Sequence, residues 1–201
     1  MSAMNIAYQY QGQLYVNLTN RCTNRCKFCI RHTPSGVDGI DLWLSCEPDY
    51  EEVVAALEAA DYKADDEIIF CGYGEPLMRA DVCLAAARFI KETSCAKIRI
   101  NTNGHGNIYN GRDITKDMEG LVDVLSISLN APDAPVYEDL CQCDYGEDGF
   151  YAMLDFAKAA KAHVPEVVLS VVDVIKPEEI VACRKIAEDL GVGFRARVYS
   201  E

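Results

Sequence analysis

Three cysteines fall within eight residues of this chain, in the segment "NRCTNRCKFC" at positions 20–29. They are Cys22, Cys26 and Cys29, spaced CxxxCxxC. Thiolates suit soft metals, and close spacing can bring them to one centre. Three chemistries compete for such a triplet. Structural zinc needs a fourth ligand, for which His32 and Cys46 are the nearest candidates. A closed iron–sulfur cluster on four cysteines carries electrons and has no iron open to substrate. A cluster on three thiolates leaves one iron free for a small molecule and asks for no fourth cysteine. None follows at a matching distance.

Such a site needs a rigid support, and the apolar pattern supplies one. Six β-rich runs read as strands: 14–19, 67–72, 97–102, 123–129, 166–173 and 192–199. Between them lie stretches with helical spacing, after Asp49 and at about 80–93, 113–120, 147–163 and 177–190, the last opening on Pro177 and stopping at Gly191. Alternation of this kind predicts βα units and a parallel sheet. One parity of several strands is polar: Tyr15, Asn17 and Thr19; Arg99, Asn101 and Asn103; Ser126, Ser128 and Asn130; Arg195, Arg197 and Tyr199. A doubly wound sheet is apolar on both faces. The expectation is therefore an α/β fold in which a partial (β/α)6, TIM-like barrel wraps its concave side around a polar ligand. The triplet then lies just past the first strand, on the face where barrels hold their chemistry.

Composition narrows the function. Half of the 201 residues are apolar, so one domain over 1–201 is expected, with a cluster loop at 20–46. No apolar run is long enough to cross a membrane and the N-terminus does not read as a secretory signal, which together predict a cytoplasmic protein. Nineteen basic residues against 32 acidic ones give a net charge of -13, which disfavours nucleic acid as a partner. Of the ten cysteines, clustered ones point to metal or catalysis, while Cys83, Cys95 and Cys183 read as small core or surface residues. Arg21, Arg25, Lys27 and Arg31 flank the triplet and are expected to offset thiolate charge.

CxxxCxxC with Phe28 before its last cysteine resembles the signature of the radical S-adenosylmethionine (radical SAM) enzymes. "CGYGEPL" at 71–77 resembles that family's Gly-Gly-Glu region, and "NTNG" (101–104) and "SISLNAP" (126–132) resemble strand ends that contact its cofactor. The opening "LYVNLTNRCTNRCKFCIR" and the GxGEP form are most similar to small radical SAM proteins associated with TatD-family hydrolases.

The resemblance implies a [4Fe-4S] cluster on Cys22, Cys26 and Cys29, with S-adenosyl-L-methionine chelating the fourth iron. It implies reductive cleavage to a 5′-deoxyadenosyl radical, which takes hydrogen from a substrate that the sequence does not name. It also implies a reductant such as flavodoxin or ferredoxin. Gly72, Tyr73, Gly74 and Glu75 are then assigned to the methionine ammonium. Asn103, Ser128 and Asn130 go to ribose or carboxylate, Phe28 to adenine, and Arg195, with Arg197 on the same face, to a carboxylate. Asp173, His32 and His105 are weaker candidates, and Cys141-x-Cys143 reads as a substrate-loop pair or a second metal site. The chain stops after the sixth strand, leaving an open barrel mouth as the expectation. A non-catalytic electron-transfer or binding module and a radical SAM enzyme acting on RNA are the alternatives.

Overall fold

The computed structural model describes residues 4–32 and 37–199. Positions 33–36 of the expected cluster loop lie outside the described residues. Seven strands make one sheet in sequential order. β1 (Ala7–Tyr10) and β2 (Gln13–Val16) form an antiparallel hairpin across Gln11 and Gly12, both at positive φ, as a tight two-residue turn requires. β3 (Glu67–Phe70), β4 (Lys97–Thr102), β5 (Val124–Ser128), β6 (Glu166–Val172) and β7 (Gly193–Arg197) then add in parallel, each beside its predecessor.

The helices are α1 (Tyr50–Ala59), α2 (Ala80–Thr93), α3 (Gly106–Asn110), α4 (Ala134–Cys141), α5 (Asp148–Ala160) and α6 (Pro177–Leu190). Parallel strands in unbroken order, linked by right-handed crossovers, keep all helices on one side of the sheet. A doubly wound sheet would reverse direction and cover both sides. The fold is thus the α/β partial barrel that the polar parity predicts, with six parallel strands and an edge hairpin.

Period-two alternation divides each strand. Leu14, Val16, Ile68, Phe70, Ile98, Ile100, Leu125, Ile127, Leu169 and Val171 are wholly buried in the helix-covered core. Cys83 of α2 and Cys183 of α6 are buried there too, as small apolar side chains. Cys95 is exposed.

Several boundaries differ from the sequence reading. The strand read as 14–19 ends at Val16, because Asn17 and Thr19 turn away to hold the 41–47 segment: Asn17 donates to the Leu42 carbonyl and Thr19 to Glu47. The helix expected at 113–120 is a 3-10 turn, Thr115–Met118, since Asp113 captures the Thr115 N–H and hydroxyl and Gly120 ends the run. The β1 strand and α4 were not anticipated. α4 hides behind two prolines in "APDAPV", although Asp133 caps it by accepting from the Val136 N–H at 2.9 Å and Pro135 sits in its first turn.

Candidate active site

The concave side of the sheet encloses a cavity of about 570 Å³. Cys22, Cys26 and Cys29 line it together with Phe28 from the loop that follows β2. Gly72, Tyr73, Gly74 and Glu75 reach it from the end of β3, Asn103 from the end of β4, Ser128 and Asn130 from β5, and Arg195 from β7. All twelve residues assigned to metal or cofactor from the sequence therefore face one space.

No three His, Cys, Asp or Glu side chains among the described residues converge tightly enough to hold a single metal ion. Burial pushes the Cys22 thiol up to about 12, and the negative charge of Glu75 adds to the rise. Cys26 is raised by its hydrogen bond with Cys141 and by burial, and Cys29 by burial. Without metal these thiols keep their protons, so metal binding must release them.

The cluster loop is strapped down from behind. The N–H groups of Arg25 and Lys27 donate to the carbonyls of Cys141 and Leu140, and the Asp144 N–H donates to the Thr23 carbonyl, all at 2.8–2.9 Å. Arg25 pairs with Asp144, and Lys27 with Asp139 at 2.6 Å. Arg21 pairs with Glu47. Three of the four basic residues flanking the triplet are thus neutralised by carboxylates; only Arg31 turns inward, onto the carbonyls of Asn20 and Asn24. The Cys141-x-Cys143 segment is the platform for this loop, and the sulfur of Cys141 meets that of Cys26.

A buried polar chain fixes the loop from inside. Asn103 donates through Nδ2 to Thr23 Oγ1 at 2.8 Å, and Thr23 Oγ1 lies 2.8 Å from His105 Nδ1. His105 Nε2 lies 3.0 Å from the Gly149 carbonyl, which only accepts. The carbonyl fixes the proton on Nε2, so Nδ1 accepts from the Thr23 hydroxyl. Burial lowers the His105 pKa to about 4, consistent with this neutral imidazole. Beside it, Asn24 Nδ2 donates to the Tyr137 hydroxyl at 2.9 Å. The Cys22 sulfur accepts from the Asn24 N–H at 3.4 Å and the Asn103 amide at 3.7 Å. Sequence reading left Thr23, Asn24 and Tyr137 unassigned, and no local signal marks them.

The GYGE turn also gains a structural reason. A Cβ on Gly72 would stand 2.1 Å from Asn17 Oδ1, and one on Gly74 2.2 Å from the Thr19 carbonyl. These glycines admit the chain leaving β2 as well as lining the cavity. Glu75, nearly fully buried, accepts from the Leu77 N–H and the Thr102 hydroxyl on one oxygen and from the Asn103 N–H on the other, at 2.7–3.0 Å. Burial raises its pKa against these three bonds. Its carboxylate ties β3 to β4, with one lone-pair position still open on the second oxygen. Asp173 is used structurally, accepting from the Tyr199 N–H, and His32 is exposed.

The donor set fits the expected groups. Among the described residues, four buried side-chain polar atoms have no partner, and three belong to residues lining this cavity: Asn24 Oδ1, Asn130 Oδ1 and Arg99 Nε. Each such atom costs about 1–3 kcal/mol when left unmet. Two carbonyl acceptors beside three thiols match a ligand rich in N–H and O–H donors, as an aminoacyl nucleoside is.

Comparison with known proteins agrees. The family model described as "Radical SAM superfamily" matches residues 16–190. A GTP 3',8-cyclase of Corynebacterium glutamicum (strain R) is 30% identical over 193 residues, covering 90% of this chain and 47% of that protein. This chain thus spans about half the length of the curated relative. Among solved structures, a radical SAM methyltransferase from Sphaerobacter thermophilus aligns with TM-score 0.63 at 19% identity, covering 96% of this chain and 57% of the other. Streptococcus suis SuiB bound to S-adenosylmethionine aligns with TM-score 0.64 at 17% identity, covering 93% and 38%. These two likenesses are of fold.

Proposed function

We propose that this chain, which belongs to the radical SAM superfamily, holds a [4Fe-4S] cluster on Cys22, Cys26 and Cys29 and binds S-adenosyl-L-methionine beside it to begin hydrogen abstraction from an organic substrate. The observation that carries the reading is the meeting of three cysteines and three orphaned polar atoms in one cavity. An electron carrier has no need of such a cavity, and the charge of -13 speaks against an RNA substrate. When bound, the cluster and cofactor supply reductive cleavage of the sulfonium to methionine and a 5′-deoxyadenosyl radical.

The chain's own residues bind, orient and enclose. The carbonyls of the Gly72–Gly74 turn and the open lone pair of Glu75 receive the methionine ammonium. Asn130 Oδ1 and Ser128 take ribose hydroxyls, Asn103 orients the cofactor edge nearest Cys22, and Phe28 offers a ring to adenine. Arg195, in register with Ser170 and through it with Ser128, faces the methionine carboxylate. Rigid strand ends hold these groups in place, as a short-lived radical demands.

Two finer readings belong with this proposal. The opening motif and GxGEP form support kinship with radical SAM proteins associated with TatD-like hydrolases. A cytoplasmic setting with flavodoxin or ferredoxin as reductant suits a cysteine-rich chain in which no helix among the described residues is long and apolar enough to cross a membrane.

Anaerobic reconstitution with iron and sulfide, followed by strong reductant and cofactor, tests the proposal. The expected outcome is a [4Fe-4S] spectrum and release of 5′-deoxyadenosine and methionine. Tightly bound zinc in place of iron, or a cluster that never cleaves the cofactor, would refute it.

A further inference from the structure

We infer that the mouth of the cavity binds an oxyanion of the substrate, with Arg197 as the anchoring group. This rests on the reading above, in which the deeper part of the same cavity holds the cofactor.

Arg195 and Arg197 alternate with Ala196 on β7, share one face, and stand in register with Ser170 and Val172 of β6. Both line the cavity. Five arginines find carboxylates: Arg21 and Arg79 share Glu47, Arg25 holds Asp144, Arg99 holds Glu67 and Arg112 holds Asp117. Among the described residues, neither Arg195 nor Arg197 has such a partner. Arg31, Arg88 and Arg184 likewise have no carboxylate partner among the described residues, but none of these three lines the cavity; Arg195 and Arg197 do, as two neighbouring guanidiniums on one strand. Arginine's fixed fork of donors matches carboxylate or phosphate oxygens.

The surroundings of Arg197 sharpen the assignment. Its electrostatic neighbours are the Cys71 thiol, Arg195 and the Tyr15 phenol. Arg197 is exposed where it lines the cavity, and a bound anion would offset the like charge of Arg195 beside it. β7 and β2 stand five positions apart in the strand order, yet Arg197 and Tyr15 line the same cavity, so the sheet curls its last strand around towards the hairpin. Tyr15 stacks on Tyr8 with ring centroids 5.3 Å apart, and Tyr10 meets Tyr15 edge-on at 5.6 Å. Phenol faces on one side and a guanidinium on the other suit a small molecule that carries its oxyanion on a compact apolar or planar body.

Charge counting separates the two arginines. The cofactor brings one carboxylate, and Arg195 is placed for it beside the serines. Arg197, two residues nearer the end of β7, is left over, so the second anion belongs to the substrate.

The test uses reconstituted holoenzyme saturated with S-adenosylmethionine, titrated calorimetrically with inorganic pyrophosphate and with citrate. Saturable binding of at least one, with the cofactor retained, is expected. Pyrophosphate alone marks a phosphate-bearing substrate, and citrate alone a carboxylate-bearing one. Arg197→Met is expected to weaken the bound anion at least tenfold and Arg197→Lys to restore part of that loss. Arg88→Met, which removes the same charge from the exposed side of α2, should leave the affinity unchanged. Absence of saturable binding at millimolar anion, equal weakening by Arg88→Met, or displacement of the cofactor by the anion would each overturn the inference. Should Arg197→Met fail to fold, the wild-type titration and Arg197→Lys still decide. Failure of the cofactor reading appears separately, as absence of cluster or of 5′-deoxyadenosine.

Discussion

The two faces of this sheet use the same strands for opposite ends. Ile100 and Leu125, partners in register, are wholly buried beneath the helices, while Asn101 and Ser126, one residue on and also partners, line the cavity. The covered face is apolar and its packing holds the fold together. The open face carries amides, hydroxyls and guanidiniums, several of them without partners, and contributes little burial. Stability and chemistry are thereby separated by a single residue step, and sequential strand order makes that possible by leaving one face uncovered.

The cysteines at the cavity give the sharpest way to break the comparison. Cys22→Ala is expected to lose essentially all reconstituted iron, whereas Cys143→Ala, on the supporting platform, should keep about four irons per chain. Equal loss in both would move Cys143 into the metal site. Within the strands, Ile100→Ala should cost about 2–5 kcal/mol in denaturant unfolding. Ser126→Ala should stay within about 1 kcal/mol while altering cofactor affinity. Similar costs at the two positions would erase the distinction between faces.

His105 provides a third probe, through pH. Its pKa is lowered from 6.5 to about 4 when folded. Between those values the unfolded chain binds the extra proton, so stability falls as pH drops from about 6.5 towards 4, by on the order of 3 kcal/mol, and this contribution is constant above that window. His105→Gln should flatten that part of the stability–pH curve, and an unchanged slope would deny the buried neutral imidazole. The smallest effect is expected at the surface straps. Lys27 and Asp139 are largely exposed, so Lys27→Ala should change stability by less than about 1 kcal/mol, leaving backbone bonds to hold the loop. A larger loss, measured in low salt and again in high salt, would promote the ion pair to a main support.

Much of this was legible from residue types alone. The triplet, the GxGEP turn and the polar parity of four strands led to the cavity, because period two in a strand fixes which side chains share a face. The hairpin strand β1 was not legible, because "AYQY" is too short to separate from loop. α4 was not, because its prolines read as breakers although both fall at or before its first turn. The supporting chain from Asn103 through Thr23 to His105 joins residues some 80 positions apart, and only the folded chain brings them within hydrogen-bond reach.

By itself the sequence determined the α/β barrel class and the residues that line one cavity with the three cysteines, since each is written in local spacing. Only the tertiary structure decided that the glycines make room for the chain leaving β2, that Glu75 braces β3 against β4, and that three of the four flanking basic residues are spent on carboxylates. It also decided that Arg197 and Tyr15 line one cavity. Such facts depend on which distant segments meet, and that is set by sheet order and curvature, quantities that no short window of residues encodes.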